Sequence, residues 1–109
     1  MARSDISSAE LAKRAGAASR LLKALSHEAR LMVLCQINDG ERSAGELQKG
    51  SGLSQSALSQ HLARLREEGL VATRREAQTI YYRIADANAA QLIAALAEIY
   101  CPPKKRKTS

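Results

Sequence analysis

Ser54-Gln55-Ser56-Ala57-Leu58-Ser59-Gln60-His61-Leu62-Ala63-Arg64-Leu65, running on to Glu68-Gly69, decides how the rest of the chain is read. Leu58, Leu62 and Leu65 recur at helical spacing and form one apolar stripe. Ser54 stands where an N-cap belongs, Leu53 and Leu58 can staple the entry, and Gly69 stops the helix. The opposite face offers Gln55, Ser56, Ser59, Gln60 and Arg64. Gln can read adenine bidentately, Ser reaches phosphate or base, and the free N–H groups of a helix start attract phosphate. Taken alone, a Ser/Gln-rich helix start is equally what capping and solvation produce, so its neighbours must decide.

Upstream, Ser43-Ala44-Gly45-Glu46 fits a capping box that opens a short helix to about Lys49, and Gly50-Ser51-Gly52 is a tight connection. Two short helices joined by a Gly-containing turn are thereby set side by side. Further upstream, Ser7-Ser8-Ala9-Glu10 is a second box. The first helix runs from about Ser8 to Leu25, with Leu11, Ala15, Ala18, Leu22 and Leu25 on one stripe. Ser26 is the next N-cap candidate, with Glu28 near the positive end of the dipole. That helix runs to about Asn38, and Asp39-Gly40 ends it.

After Gly69 the period drops to two. Leu70 to Arg75 and Thr79 to Ile84 read as strands of a hairpin around Glu76-Ala77-Gln78. Asp86 or Asn88 starts a last helix through Tyr100, and Pro102-Pro103 prevents its continuation. The order ααααββα is mainly α with a β-hairpin wing, a winged helix-turn-helix arrangement. In it the Ser54 helix enters the major groove of double-stranded DNA, and Arg64, Arg74 and Arg75 are candidates for phosphate or minor-groove contact. Singly, Arg74 and Arg75 also fit a solvated strand edge. His61, beside the leucine stripe, fits a packed, hydrogen-bonded histidine.

The chain has 109 residues, the size of one small domain. We assign residues 1–6 to a frayed N-terminus, 7–101 to one DNA-binding and dimerisation domain, and 102–109 to a basic disordered tail. With no Trp or Phe and three Tyr, the composition argues against an aromatic cage or a stacking platform for single strands. The formal charge of +6 sits largely in Lys104, Lys105, Arg106 and Lys107. The DNA reading therefore rests on element order rather than on total charge. The longest apolar run, Leu92 to Ala97, is far too short to span a membrane, and no signal-peptide core is seen, so a reducing cytoplasm is expected. There is no Ser/His/Asp set and no phosphate-cradling Gly loop, so an enzyme is not expected.

Four segments carry a family resemblance: Leu25-Ser26-His27-Glu28-Ala29-Arg30-Leu31, then Leu53 to Leu62, Glu68-Gly69-Leu70-Val71, and Tyr81-Tyr82-Arg83-Ile84. Over roughly residues 10–101 the chain resembles the ArsR/SmtB family of bacterial repressors. The resemblance implies a bacterial homodimer built on the first and last helices, binding an inverted-repeat operator. The residues agree, since Leu92, Ile93, Leu96 and Ile99 with the first helix's stripe are more apolar surface than so small a body can cover.

Members of that family differ chiefly in what they sense. The thiols of its metal sensors are missing near Ser43 to Leu47, and the last helix holds no His. His27 and His61 have no ligand spacing in sequence, so neither a metal nor any other cofactor is expected. Cys35 in the second helix and Cys101 after the last one are the only cysteines. Singly, each fits an inert thiol. Together, in Val33-Leu34-Cys35 and Ile99-Tyr100-Cys101-Pro102, and with Gly69 to Tyr82, they resemble the persulfide-sensing (BigR/SqrR/HlyU-like) branch. That resemblance implies a repressor of sulfide-handling genes, bound to DNA when reduced and released when a persulfide or polysulfide inducer crosslinks Cys35 to Cys101. Which thiol attacks first stays open. So do two rivals: a peroxide or general thiol-redox repressor, and a constitutive DNA-binding module with inert cysteines.

Overall fold

The computed structural model describes residues 6–100, so Cys101, the basic run after it and residues 1–5 lie outside the described residues. Helix α1 spans Ser8–Leu25. Its cap is Ser7, whose Oγ accepts from the Glu10 N–H at 3.1 Å. The expected box is half made, because the Glu10 carboxylate turns to Arg14 Nε at 3.2 Å. Leu25 is buried, whereas Leu11 and Leu22 of the same stripe are more than half exposed, at 57% and 54%.

Helix α2 spans Glu28–Gln36, two residues short of the expected end. Its N-cap is His27 rather than Ser26: His27 Nδ1 accepts from the Ala29 N–H at 3.2 Å. Ser26 instead closes α1, its hydroxyl donating to the Lys23 carbonyl at 3.0 Å. Ser26 takes the C-cap backbone of α1, and His27, in extended backbone, takes the N-cap position of α2.

A strand absent from the sequence reading follows: β1, Arg42–Ser43. The order is therefore ααβααββα. With β2 (Val71–Glu76) and β3 (Thr79–Ile84) it makes a three-stranded antiparallel sheet, order β1-β3-β2. Arg42 faces Tyr82 and Ser43 faces Tyr81 across it. Two residues paired with a partner some forty positions away leave no periodicity to read.

Helix α3 spans Ala44–Ser51 and α4 spans Gln55–Glu67. The α3 box is complete: Ser43 Oγ accepts from Glu46 N–H at 3.1 Å, and Ser43 N–H donates to Glu46 Oε1 at 2.8 Å. Gly52 takes a left-handed φ of 72°, which lets the chain reverse between the two helices without a Cβ penalty. The α4 cap is Ser54 as expected, accepting from Ala57 N–H at 3.1 Å. Helix α5 spans Ala87–Tyr100, and Asp86 rather than Asn88 caps it, through Oδ2 and the Ala89 N–H at 2.8 Å.

The core gathers Val33, Leu34, Leu47, Leu65 and Ile93, all fully buried, with Leu58, Leu62, Leu70 and Val71 against them. Each such side chain contributes about 1.5–3 kcal/mol by leaving water. The three leucines of the α4 stripe are thus its anchor to α2, α3 and the sheet. Ile93, expected at a dimer surface, belongs to the chain's own core instead; of that group Ile99 is the exposed one, at 67%.

Candidate DNA interface and thiol cavity

With Leu58, Leu62 and Leu65 inward, the remaining face of α4 is fixed by helical geometry. Gln55, Ser56, Ser59, Gln60 and Arg64 are all exposed on it. Helix α3 packs behind, and the wing rises from the other end of α4. The sequence-predicted groups are thus gathered on the α4 surface, apart from Arg74 and Arg75, which belong to the wing.

Those two arginines point to opposite faces of β2, because neighbouring strand residues alternate. Arg75 lies across from Ile80, on the face that also holds Val71, Thr73, Tyr82 and Ile84. Arg74 lies across from Tyr81 and is already engaged. Its Nε and Nη2 reach the Glu41 carboxylate at 2.9–3.1 Å, its Nη1 reaches Glu76 at 2.8 Å, and its guanidinium sits 4.7 Å from the Tyr81 ring centroid. The Arg74 hydrogen bonds hold the Glu41 carboxyl below the ordinary carboxylate range, and Arg74 is held more firmly cationic in turn. To meet a phosphate, Arg74 has to exchange this carboxylate for it.

His61 stands on the side of α4 toward α2. Its ring centroid is 4.7 Å from that of His27, the planes tilted by 57°. The two histidines that lack ligand spacing in sequence are thus neighbours in space, and His61 packs against a ring. Its burial pushes the His61 pKa down, with smaller contributions from His27 and Arg30. Two rings alone make no metal centre, and among the described residues no group of three or more His, Cys, Asp or Glu could hold an ion.

Cys35 sits half-buried on α2 and lines a cavity of about 480 Å3 between α2 and α5. Leu31, Met32, Leu96 and Tyr100 make its walls largely apolar, and Glu28 stands among them. Tyr100 is the last described residue, and the next in sequence is Cys101.

Residues 27–73, from the α2 cap into β2, match the model for "Bacterial regulatory protein, arsR family". The biofilm growth-associated repressor of Xylella fastidiosa is 47% identical over 97 residues, 89% of this chain and 85% of that protein. The chain belongs to the arsR family. Among solved structures, the transcriptional repressor BigR from Xylella fastidiosa matches with a TM-score of 0.82 at 45% identity, over 94% of this chain and all of that one. Reduced HlyU from Vibrio cholerae matches with a TM-score of 0.80 at 49% identity, over 84% of this chain and 97% of that one.

The arsR-family chain is accordingly a DNA-binding transcriptional regulator with the winged helix-turn-helix fold, not an enzyme. No helix among its described residues is long and apolar enough to cross a membrane. Sequence reasoning missed two groups at this interface. Glu41, the partner of Arg74, lies 33 positions away, and its only local signal was an acid beside the Asp39-Gly40 stop. His27 could have been found as an alternative cap to Ser26, since an imidazole nitrogen can accept an N–H.

Proposed function

We propose that this arsR-family regulator is a homodimeric repressor whose DNA affinity is gated by Cys35 and Cys101. The observation that carries the reading is the cavity: Cys35 and Tyr100 share it, and Cys101 is covalently the next residue after Tyr100. In the sequence, Cys101 therefore follows directly on a residue that lines the cavity with Cys35, which supports pairing the two thiols. The similarity to a HlyU structure described as reduced fits a signal carried by thiols.

The chemistry balances with a persulfide as the sole reagent. A thiolate attacks the terminal sulfur of RSSH; the S–S bond breaks, RS⁻ leaves, and the protein holds a Cys persulfide. The second thiolate then attacks the cysteinyl sulfur and expels HS⁻, closing a disulfide. Each further persulfide consumed before closure lengthens the bridge by one sulfur. The sulfane sulfur is reduced to sulfide and the two thiols are oxidised, with no outside oxidant. A longer bridge reaches beyond the Cα separation of about 7 Å that an ordinary disulfide tolerates. Thiolate fraction sets the rate.

The bridge joins α2, which supports the helix-turn-helix, to the end of α5. The exposed Leu11 and Leu22 of α1 and Ile99 of α5 supply an apolar face for the second copy. Two-fold symmetry then sets the two α4 helices about one DNA turn apart, on an inverted repeat. Tying α2 to α5 shifts one recognition helix relative to the other, and affinity falls to the extent that the bridged state fits DNA less well. Mass spectrometry after separate persulfide and peroxide treatment tests the sulfur chemistry. A Cys35–Cys101 bridge extended by whole sulfur atoms under persulfide alone is expected. An identical plain disulfide under both reagents, with no extended bridge even in excess persulfide, would place the chain with general thiol-redox repressors.

A further inference from the structure

A second cleft, of about 660 Å3, opens between α1, α2 and α4. Four cations from three helices line it: Arg20 and Lys23 of α1, Arg30 of α2 and Arg64 of α4. Glu68 is the one carboxylate among these lining residues, and Leu21 and Leu70 give an apolar floor. Among the described residues Arg20, Lys23 and Arg64 form no ion pair. Folding has therefore brought like charges from separate elements together with too few anions to balance them.

Arg30 is the inner member. Its side chain is 14% exposed, and its Nη1 donates to the Ala24 carbonyl at 3.0 Å. Glu68 Oε1 stands at 4.0 Å, too far for a hydrogen bond. The Arg30 Nε is buried and has no acceptor among the described residues. Buried guanidinium N–H groups normally have an acceptor, so Arg30 lines the cleft as a cation whose hydrogen bonding the described residues leave incomplete.

We propose that the cleft is a phosphate-binding site, with Arg30 at its base and Arg20, Lys23 and Arg64 around its mouth. Several guanidinium forks and an ammonium around one point match the spread oxygens of a phosphate group. The phosphate comes either from the DNA backbone beside α4 or from a soluble phosphate. The first source rests on α4 being the recognition helix; the second does not.

The test uses the full chain carrying Arg20→Ala and Lys23→Ala, both on the exposed surface of α1, with an unchanged melting temperature as the fold control. Binding to a duplex selected by the wild type from a random library, and to a scrambled duplex, is measured over a salt series. For a backbone phosphate, both affinities fall by the same factor. The slope of log K against log salt becomes shallower by about 0.9 for each phosphate that is no longer neutralised. Separately, inorganic phosphate is titrated into DNA-free protein at matched ionic strength and followed by amide chemical shifts around Arg30. For a soluble phosphate, wild type shifts, the double variant does not, and the salt slope is unchanged. Neither effect in either assay overturns the proposal. Gln60→Ala, run in parallel, should lose affinity for the selected duplex only; if it does not, the reading of α4 fails separately and the phosphate titration still decides the cleft.

Discussion

Glu41 and His61 show how single residues set this surface. Glu41 holds Arg74 with its full carboxylate, so an arginine that the sequence offers to DNA is occupied by a neighbour. Glu41→Gln removes the charge while leaving the shape. Non-specific duplex affinity should then rise, and Arg74→Ala should abolish that rise; anisotropy on a scrambled duplex reads both. The folded-state pKa of Glu41 is depressed. Its contribution is therefore present above the unfolded value of 4.5 and is lost only as pH falls through the lower folded value. The clamp is constant across neutral pH. His61 behaves differently because its folded pKa is depressed from 6.5. The unfolded chain takes up that proton first, so stability is full above 6.5 and declines as pH falls below it. Tm measured from about pH 7.5 to about 5.5 should fall in wild type, and less so in His61→Gln. Equal falls in both would assign the pH dependence to other groups.

At the scale of elements, α4 separates anchoring from reading. Leu62, only 3% exposed, should cost about 2–5 kcal/mol when changed to Ala, seen as a lower denaturation midpoint. Gln60→Ala should leave the midpoint unchanged and weaken operator binding; unchanged binding in both Gln60→Ala and Arg64→Ala would remove the assignment. Much of this was legible because the signals are local. Serine caps, leucines three and four apart, and the switch to a period of two at Leu70 each act within a few residues, and α1, α4 and β3 begin where those signals place them. What could not be read was non-local. The β1–β3 pairing, the Glu41–Arg74 bond and the His27–His61 contact join residues 33 or more positions apart, and no pattern along the chain encodes them. The α2 cap differs from expectation for another reason: Ser26 and His27 both can accept, and the choice depends on how α1 ends. The residues on α4 follow from its periodicity, whereas pairing Cys35 with Cys101 comes from family resemblance, since their spacing alone says nothing.

For the whole molecule, the apolar side chains left on α1 and α5 are the main unbalanced feature. Leu22, 54% exposed, and Ile99, 67% exposed, are large hydrophobes that the single chain leaves in water. Leu22→Glu should shift the chain from dimer to monomer in light scattering while Leu11→Ser shifts it less; a wild-type chain already monomeric at micromolar concentration would contradict the symmetric operator reading. The proposed dimer face and the proposed thiol bridge both involve α5, which is packed on α2 at the cavity and presents Ile99 at its end. The most direct measurement is operator release: the full chain, reduced or treated with an organic persulfide, titrated onto a library-selected duplex alongside Cys35→Ser and Cys101→Ser. Wild type is expected to lose affinity on treatment and regain it with a thiol reductant, while both variants stay bound throughout. Release of the two variants to the same extent as wild type, or no release of wild type when its bridge is present by mass spectrometry, would contradict thiol gating.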